Sequence, residues 1–189
     1  MKLALSFLIV VAFVAVSSPV PAQVARVDGF RGTLVNVAGQ AGRTLSVDVI
    51  RWSTDAERDK VTAAAAKGDT ALLDVLKGMP TQGYVWTGES VGYQVRYAWK
   101  GTLPNGAERI VFATDKPLGS YELTAWRAAP PAPETTYGFT VLEIRIPKGG
   151  AGEAKTSLAA KIGTDAAAKT LALEDYAAAP VIVKNMRRS

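Results

Sequence analysis

The alternation of apolar and polar residues that begins at Gly83 restricts the fold more than any other feature of the sequence. Such alternation is typical of strands that bury one face. It predicts strands at 84–87, 93–101, 108–114, 121–127 and 136–147. The connections between these segments are short, whereas parallel neighbours need a crossover of about a dozen residues or more. The strands are therefore predicted to pair as an antiparallel meander.

Turn residues support this division of the chain. Asn105-Gly106 lies between two alternating runs and is the strongest hairpin signal in the sequence. The segment DKPLG, residues 115–119, has proline and glycine at positions that suit a tight turn. The prolines within 130–133 predict a stiff loop before the next strand.

The N-terminal part predicts a hairpin that leads into a helix. Strands are predicted at 31–37 and 44–52, joined by the flexible turn AGQAG at 38–42. The stretch RWSTDAER that follows has many polar groups, as an active site does, but it also contains a capping box. In that motif the Thr54 hydroxyl accepts from the Glu57 amide, and the Glu57 carboxylate accepts from the Thr54 amide. We therefore predict that this stretch starts a helix.

A second helix is predicted directly after the first. Gly68 follows the helix-favouring run and is predicted to end it, with Asp69 as the cap of a short helix over 70–77. Gly78 and a nearby proline terminate that helix. Trp52, just before the first cap, is predicted to pack between helix and sheet.

Residues 152–176 contain two conflicting patterns. Their alanine and lysine content favours helix, whereas the alternation from Thr156 to Ile162 favours strand. We predict two strands joined by a turn at 163–165, followed by a final strand at 181–186.

These elements predict an α+β, mainly β fold. About eight or nine mostly antiparallel strands would curl into a barrel or a sandwich, because a sheet of this many strands seldom stays flat and open. A bent helix pair is inserted after the second strand. Residues 23–30 are predicted to be a flexible N-terminal segment, and 31–187 a single globular domain.

The first 22 residues have the pattern of a cleaved Sec-type signal peptide. Lys2 precedes an apolar run from Leu3 to Val16, and Val20 and Ala22 suit a cut after Ala22. The run is short for a membrane span, although a retained anchor is the alternative. We expect a periplasmic or extracellular protein with no membrane insertion after cleavage.

The composition argues against several classes of function. The chain has no histidine and no cysteine, so it lacks thiol nucleophiles, the commonest general base and the usual zinc ligands. No catalytic or nucleotide-binding motif is present, and we expect no metal, no cofactor and no disulfide. The 22 basic and 17 acidic residues are mixed along the chain, apart from a cluster at Lys184, Arg187 and Arg188. A nucleic-acid partner is therefore not expected.

A carboxylate-based hydrolase is a remote alternative. Asp115, Glu122 and Glu143 lie on or beside the predicted central strands, and paired carboxylates are sufficient for glycoside hydrolysis. Glu143 and Arg145 are predicted to form an exposed ion pair on one strand face, and Asp115 to organise its turn.

The aromatic residues suggest a candidate binding site. Ten of the thirteen aromatic residues after residue 22 lie between Tyr84 and Phe139. Alternation places Tyr93, Tyr97 and Trp99 on one face of a strand. The ligand-binding candidates are Tyr84, Trp86, Tyr93, Tyr97, Trp99 and Trp126. This face would either pack as core against the helices, line a pocket for an apolar ligand or sugar ring, or contact a protein.

Five segments together resemble a family of exported bacterial proteins of unassigned function: IRWSTDAERDKV, LLDVLKGMP, IVFATDKPLGSYE, YGFTVLEIRIPKGGAGEAK and LALEDYAAAPVIVKN. The resemblance implies a single exported domain and transfers no catalytic or binding residue. We therefore expect a non-enzymatic module for a small apolar or aromatic molecule, with an envelope interaction or structural protein as the alternative.

Overall fold

The computed structural model describes residues 25–88, 92–122, 126–129 and 136–189. These residues form two helices, α1 (Asp55–Ala65) and α2 (Asp69–Gly78). They also form the strands β1 (Asp28–Leu34), β2 (Thr44–Val49), β3 (Gly83–Thr87), β4 (Tyr93–Thr102), β5 (Glu108–Thr114), β6 (Val141–Ile146), β7 (Gly152–Thr156), β8 (Ile162–Asp165), β9 (Thr170–Leu173) and β10 (Val183–Arg188). The predicted signal peptide, residues 1–22, lies outside the described residues.

Eight strands form a closed antiparallel barrel in the order β1-β2-β3-β4-β5-β6-β7-β10, with β10 pairing back to β1. The predicted mainly β fold with a helix pair after the second strand is confirmed, and of the two predicted alternatives the sheet forms a barrel. Strands β8 and β9 form a separate two-stranded hairpin. Closure leaves the main sheet without a free edge.

The barrel interior is filled by side chains from all eight strands, among them Phe30, Val47, Val85, Val95, Phe112, Ile144, Ala154 and Met186. Eight strands enclose a space that side chains can fill completely. The Phe112 ring lies 5.9 Å from Phe30 and stacks on Trp52 at 6.1 Å, measured between centroids. Trp52 therefore packs against the barrel interior, and not between helix and sheet as predicted.

A second core lies outside the barrel. The helices contribute Val61, Leu72 and Leu76, and the barrel contributes the outward residues Tyr97, Val111 and Val141. The β8–β9 hairpin adds Leu171 and Leu173. One half of the barrel wall, centred on β4–β6, is thus covered.

The predicted capping box starts α1. Thr54 Oγ1 accepts from the Glu57 amide at 3.3 Å, and a Glu57 carboxylate oxygen accepts from the Thr54 amide at 2.8 Å. Arg51 donates to the same carboxylate at 2.6 Å. Burial raises the pKa of Glu57, but the hydrogen bonds from Thr54 and Arg51 outweigh it, so the pKa lies below its usual value. The capping box is confirmed.

Replacing Thr54 with alanine is expected to lower the free energy of unfolding by about 1 kcal/mol, because the amide of Glu57 loses its acceptor. Urea denaturation measures the loss. Thr70→Ala is the matched control, since Thr70 is an exposed residue in the first turn of α2, whose N-cap Gly68 has no side-chain cap. Equal losses in both variants would contradict the capping role.

Several predicted boundaries differ from the structure. Asp69 is the first residue of α2, and Gly68 is its N-cap. The region 152–176 is strand as predicted, but it forms three strands, and the predicted break at 163–165 lies within β8. In the predicted strand 121–127, residues 123–125 lie outside the described residues, and the described ones are not in a strand. β1 starts at Asp28, inside the segment predicted to be flexible.

Candidate functional site

The two ends of the barrel differ in character, and one end is closed by apolar residues. The chain after β5 crosses this end and brings Leu118 and Trp126 into the interior core. The amide of Leu118 donates to Thr140 Oγ1 at 2.9 Å, and Val37 pairs with Ala128 in an isolated bridge. These bonds hold the crossing segment against the residues that follow β1 and precede β6.

The turn at Gly119 allows Trp126 to reach this position. Gly119 has φ +86°, a conformation that side chains rarely adopt. A Cβ at this position would lie 2.3 Å from Cδ1 of Trp126. Only glycine therefore fits at this position, because the Cβ of any other residue would collide with the indole.

A cavity of about 260 Å³, here called the end pocket, lies beside this crossing segment. Its apolar and aromatic wall consists of Pro117, Leu118, Trp126, Tyr137, Phe139 and Leu158. Its polar groups are the hydroxyls of Ser120, Thr136, Thr140 and Ser157 and the exposed side chain of Arg127. An apolar wall with a few polar groups is the usual composition of a small-molecule site. Since an apolar cavity of about 150 Å³ can hold benzene, the end pocket suits a molecule of one or two rings.

Trp126, in the wall of the end pocket, has a hydrogen-bond donor that no described residue uses. The residue is only 5 % exposed, and its indole Nε1 has no hydrogen-bond partner within the part of the chain that the structure describes. A buried donor without a partner costs about 1–3 kcal/mol. A ligand with an acceptor oxygen beside the indole would recover this cost.

The opposite end of the barrel is charged. Arg188 donates to both carboxylate oxygens of Glu108, at 2.9 and 3.0 Å, and pairs with Asp28. Lys100 lies 3.8 Å from Asp28 and 4.6 Å above the Trp52 ring. A depression of about 770 Å³ at this end is lined by Glu108, Lys148, Arg187 and Arg188. Although this depression is larger than the end pocket, it does not suit an apolar ligand, because such a ligand would remove these charges from water.

A β-bulge divides the aromatic face that the sequence predicted on β4. The pairing with β5 shifts between Val95 and Tyr97, where Val95 faces Thr114 and Tyr97 faces Ala113. Tyr93 and Val95 therefore lie in the barrel interior, whereas Tyr97 and Trp99 lie in the outer core. The prediction of one continuous face was wrong, because the extra residue of a bulge reverses the alternation.

The predicted ligand-binding residues consequently lie in different places. Trp126 lines the end pocket, whereas Tyr93 is buried in the barrel interior, where it stacks on Tyr121 at 4.6 Å. Tyr84 and Trp86 alternate with the inward Val85 and lie on the outer wall. No single cavity brings these residues together within the described part of the chain.

Tyr97 and Trp99 pack as core. Tyr97 is fully buried, and its hydroxyl lies 2.6 Å from Thr170 Oγ1 on β9. Burial raises the pKa of Tyr97 to about 12, although the hydrogen bond with Thr170 opposes the shift. Trp99 is half-buried beneath the Arg109 guanidinium at 5.8 Å. These two residues attach the covering elements to the barrel.

The carboxylates of the hydrolase hypothesis are held by other side chains. Asp115 accepts from Arg96 Nε at 2.8 Å, and Glu122 accepts from Gln40 Nε2 at 2.7 Å. Glu143 pairs with Arg145 at 2.7 Å, as predicted, but its carboxylate is completely buried and also pairs with Arg109 at 2.9 Å, so the prediction that this pair is exposed was wrong. The described residues contain no group of three or more acidic residues that could hold a metal ion.

Comparisons of the chain with protein-family models, curated proteins and solved structures gave no match. Among the described residues, none of the helices has the length and apolar character needed to cross a membrane.

The sequence prediction missed most of the end pocket. Tyr137 and Phe139 were assigned to the strand 136–147, but β6 begins only at Val141. Leu158 was assigned to a strand that ends at Thr156. The one sequence signal at this place is that the alternation stops near Gly119 and at the prolines within 130–133. This signal predicts loops, but it does not predict that the loops share a cavity.

Proposed function

We propose that this protein is an exported, non-enzymatic module that binds a small apolar or aromatic molecule in the end pocket. Export rests on the N-terminal signal pattern of residues 1–22. Binding rests on one observation above all: a largely apolar cavity of about 260 Å³ has in its wall a tryptophan only 5 % exposed, whose N–H has no partner among the described residues. A flat aromatic molecule with a carbonyl oxygen fits both features.

The interior of the barrel is the less favourable place for a ligand. Its side chains already fill it, and the Phe112 ring contacts the rings of both Phe30 and Trp52. The end pocket needs no such rearrangement. Its wall joins the two cores, since Leu118 belongs to the interior cluster and Phe139 to the outer one. Occupation should therefore stabilise the whole fold.

The proposed site can be tested with a pair of ligands that differ in acceptors. 1,4-Naphthoquinone has two rings and two carbonyl oxygens, and naphthalene has the same rings without acceptors. We expect the quinone to bind about fivefold more tightly, which is the contribution of one hydrogen bond. Trp126→Phe should remove this preference, because phenylalanine retains the ring contact but has no N–H. Isothermal titration calorimetry measures both affinities, and no cysteine is present that the quinone could alkylate.

Trp99→Phe and Trp86→Phe are the controls for the loss of an indole elsewhere. Both residues lie outside the end pocket and should leave the preference intact. A ligand at 100 times its dissociation constant should also add about 2.7 kcal/mol to the free energy of unfolding. No thermal shift with a broad panel of quinones, fatty acids and sugars, combined with recovery of a specific envelope protein, would favour the interaction alternative.

A further inference from the structure

One row of side chains crosses the barrel wall that no helix or hairpin of the described residues covers, and this row is unrelated to the end pocket. Arg187 on β10 pairs with Arg31 on β1, Arg31 pairs with Ser46 on β2, and Ser46 pairs with Trp86 on β3. Directly paired residues point to the same side of a sheet. The row crosses three strand spacings and is about 14 Å long. These four residues are here called the basic row.

The basic row has a concentrated positive charge. Arg31 and Arg187 are exposed and directly opposite each other, and neither forms an ion pair with any residue the structure describes. Like charges in this position destabilise a sheet. Lys184, opposite Thr33, adds a third exposed cation on the same wall. An anionic partner bound here would relieve this repulsion.

Aromatic and hydroxyl groups continue the same wall. Tyr84 lies two residues before Trp86 on β3, about 7 Å along the strand, and is 41 % exposed. The hydroxyl residues Thr33 and Thr44 pair with each other beside the basic row. The wall thus combines flat rings at one side, hydroxyl groups in the middle and guanidinium groups at the other side. Its one carboxylate among the described residues of β1–β3 beside the basic row is Asp48, opposite Tyr84, which pairs with Arg26 at 2.9 Å.

We infer that this wall binds an anionic polysaccharide, in addition to the ligand of the end pocket. The planar guanidinium groups of Arg31 and Arg187 donate paired hydrogen bonds to carboxylates, as a uronic acid polymer would offer. Trp86 and Tyr84 pack against successive sugar rings, and the threonine hydroxyls bond to sugar hydroxyls. A membrane surface fits less well, because the exposed large apolar residues of the described chain are Val27, Tyr84 and Tyr121, which form no apolar patch on this wall.

The experiment measures binding of polygalacturonate by affinity electrophoresis, with uncharged dextran as the reference polymer. The full protein should bind polygalacturonate and not dextran, and binding should weaken as salt is raised. The double variant Arg31→Gln, Arg187→Gln should bind at least about tenfold more weakly, because it loses the charge-assisted contacts of both guanidinium groups. Its melting temperature should be unchanged or higher, because the repulsion is removed. Trp86→Ala should also weaken binding while the salt dependence remains.

The matched control removes the same charge from the covered half of the molecule. Lys60 and Lys67 are exposed residues in and just after α1, and the double variant Lys60→Gln, Lys67→Gln should bind polygalacturonate like the unchanged protein. Equal weakening in both double variants would overturn the inference, as would the absence of any binding. Arginine-dependent binding to phosphatidylglycerol vesicles or to a single-stranded oligonucleotide, without polymer binding, would overturn it in favour of those partners.

Discussion

Replacing Glu143 with alanine is expected to lower the free energy of unfolding by about 3–5 kcal/mol. The Glu143 side chain is fully buried and accepts from Arg109 at 2.9 and 3.1 Å and from the amide of Leu173 at 3.2 Å. Without this carboxylate, the guanidinium of Arg109, only 5 % exposed, loses the partner that is buried with it. Chemical denaturation at neutral pH measures the loss.

Asp55→Ala is the control variant, because it removes an ion pair that is exposed and not buried. Asp55 pairs with Arg58 at 2.6 Å, but its side chain is 90 % exposed. Exposed pairs contribute about 0–1 kcal/mol, so this variant should lose less than a third as much stability. Similar losses in the two variants would show that burial of the Glu143 pair is unimportant.

The Glu143 network also attaches the outer hairpin to the barrel. Arg109 donates to Asp165 on β8 at 2.7 Å and to the carbonyl oxygen of Leu171 on β9 at 3.2 Å. Nearby, Lys155 donates to the carbonyl oxygen of Tyr176 at 2.5 Å. Hydrogen exchange in Glu143→Ala should therefore increase first in β8 and β9, while the barrel amides stay protected.

This network shows where prediction from the sequence fails. Arg109 and Glu143 are 34 positions apart, and each alone is typical of an exposed strand residue. Their burial depends on the β8–β9 hairpin folding over them, which no local pattern of residues specifies. Propensity describes a residue and its neighbours, whereas this pair is created by tertiary contact.

The elements that could be predicted are those with local causes. The capping box at Thr54 and the hairpin at Asn105-Gly106 involve residues within four positions of each other, and both are present as predicted. The bulge between Val95 and Tyr97 has no such signal, and it moved Tyr97 from the predicted shared face into the outer core. The sequence therefore predicts that the strand exists, but it does not predict to which side of the sheet the residues after the bulge point.

Only one residue of the candidate site could be predicted from the sequence. Trp126 was chosen because it lies in an aromatic-rich region, and it does line the end pocket. The remaining wall comes from the segment after β5, the residues just before β6 and the residues after β7, which are brought together by barrel closure. A pocket built from loops at the end of a barrel depends on the topology, and the periodicity of single strands does not encode it.

Replacing Phe112 with alanine is expected to cost about 3–5 kcal/mol, because the barrel interior is filled and does not form a ligand chamber. Phe112 is 2 % exposed and contacts the rings of Phe30 and Trp52. In a filled interior the deletion leaves a cavity that the closed sheet cannot collapse to fill. In a hollow barrel the same change would enlarge an existing cavity and cost little.

Equilibrium unfolding in urea measures the loss, with Tyr84→Ala as the control aromatic deletion. Tyr84 is 41 % exposed on the outer wall, and its removal should change stability by no more than about 0.5 kcal/mol. The denaturant dependence of unfolding should be the same in both variants, since neither changes the surface exposed by unfolding appreciably. If Phe112→Ala lowers the free energy of unfolding by less than about 1 kcal/mol, the loss is far below the range for a packed aromatic residue. That result would instead place the ligand chamber inside the barrel.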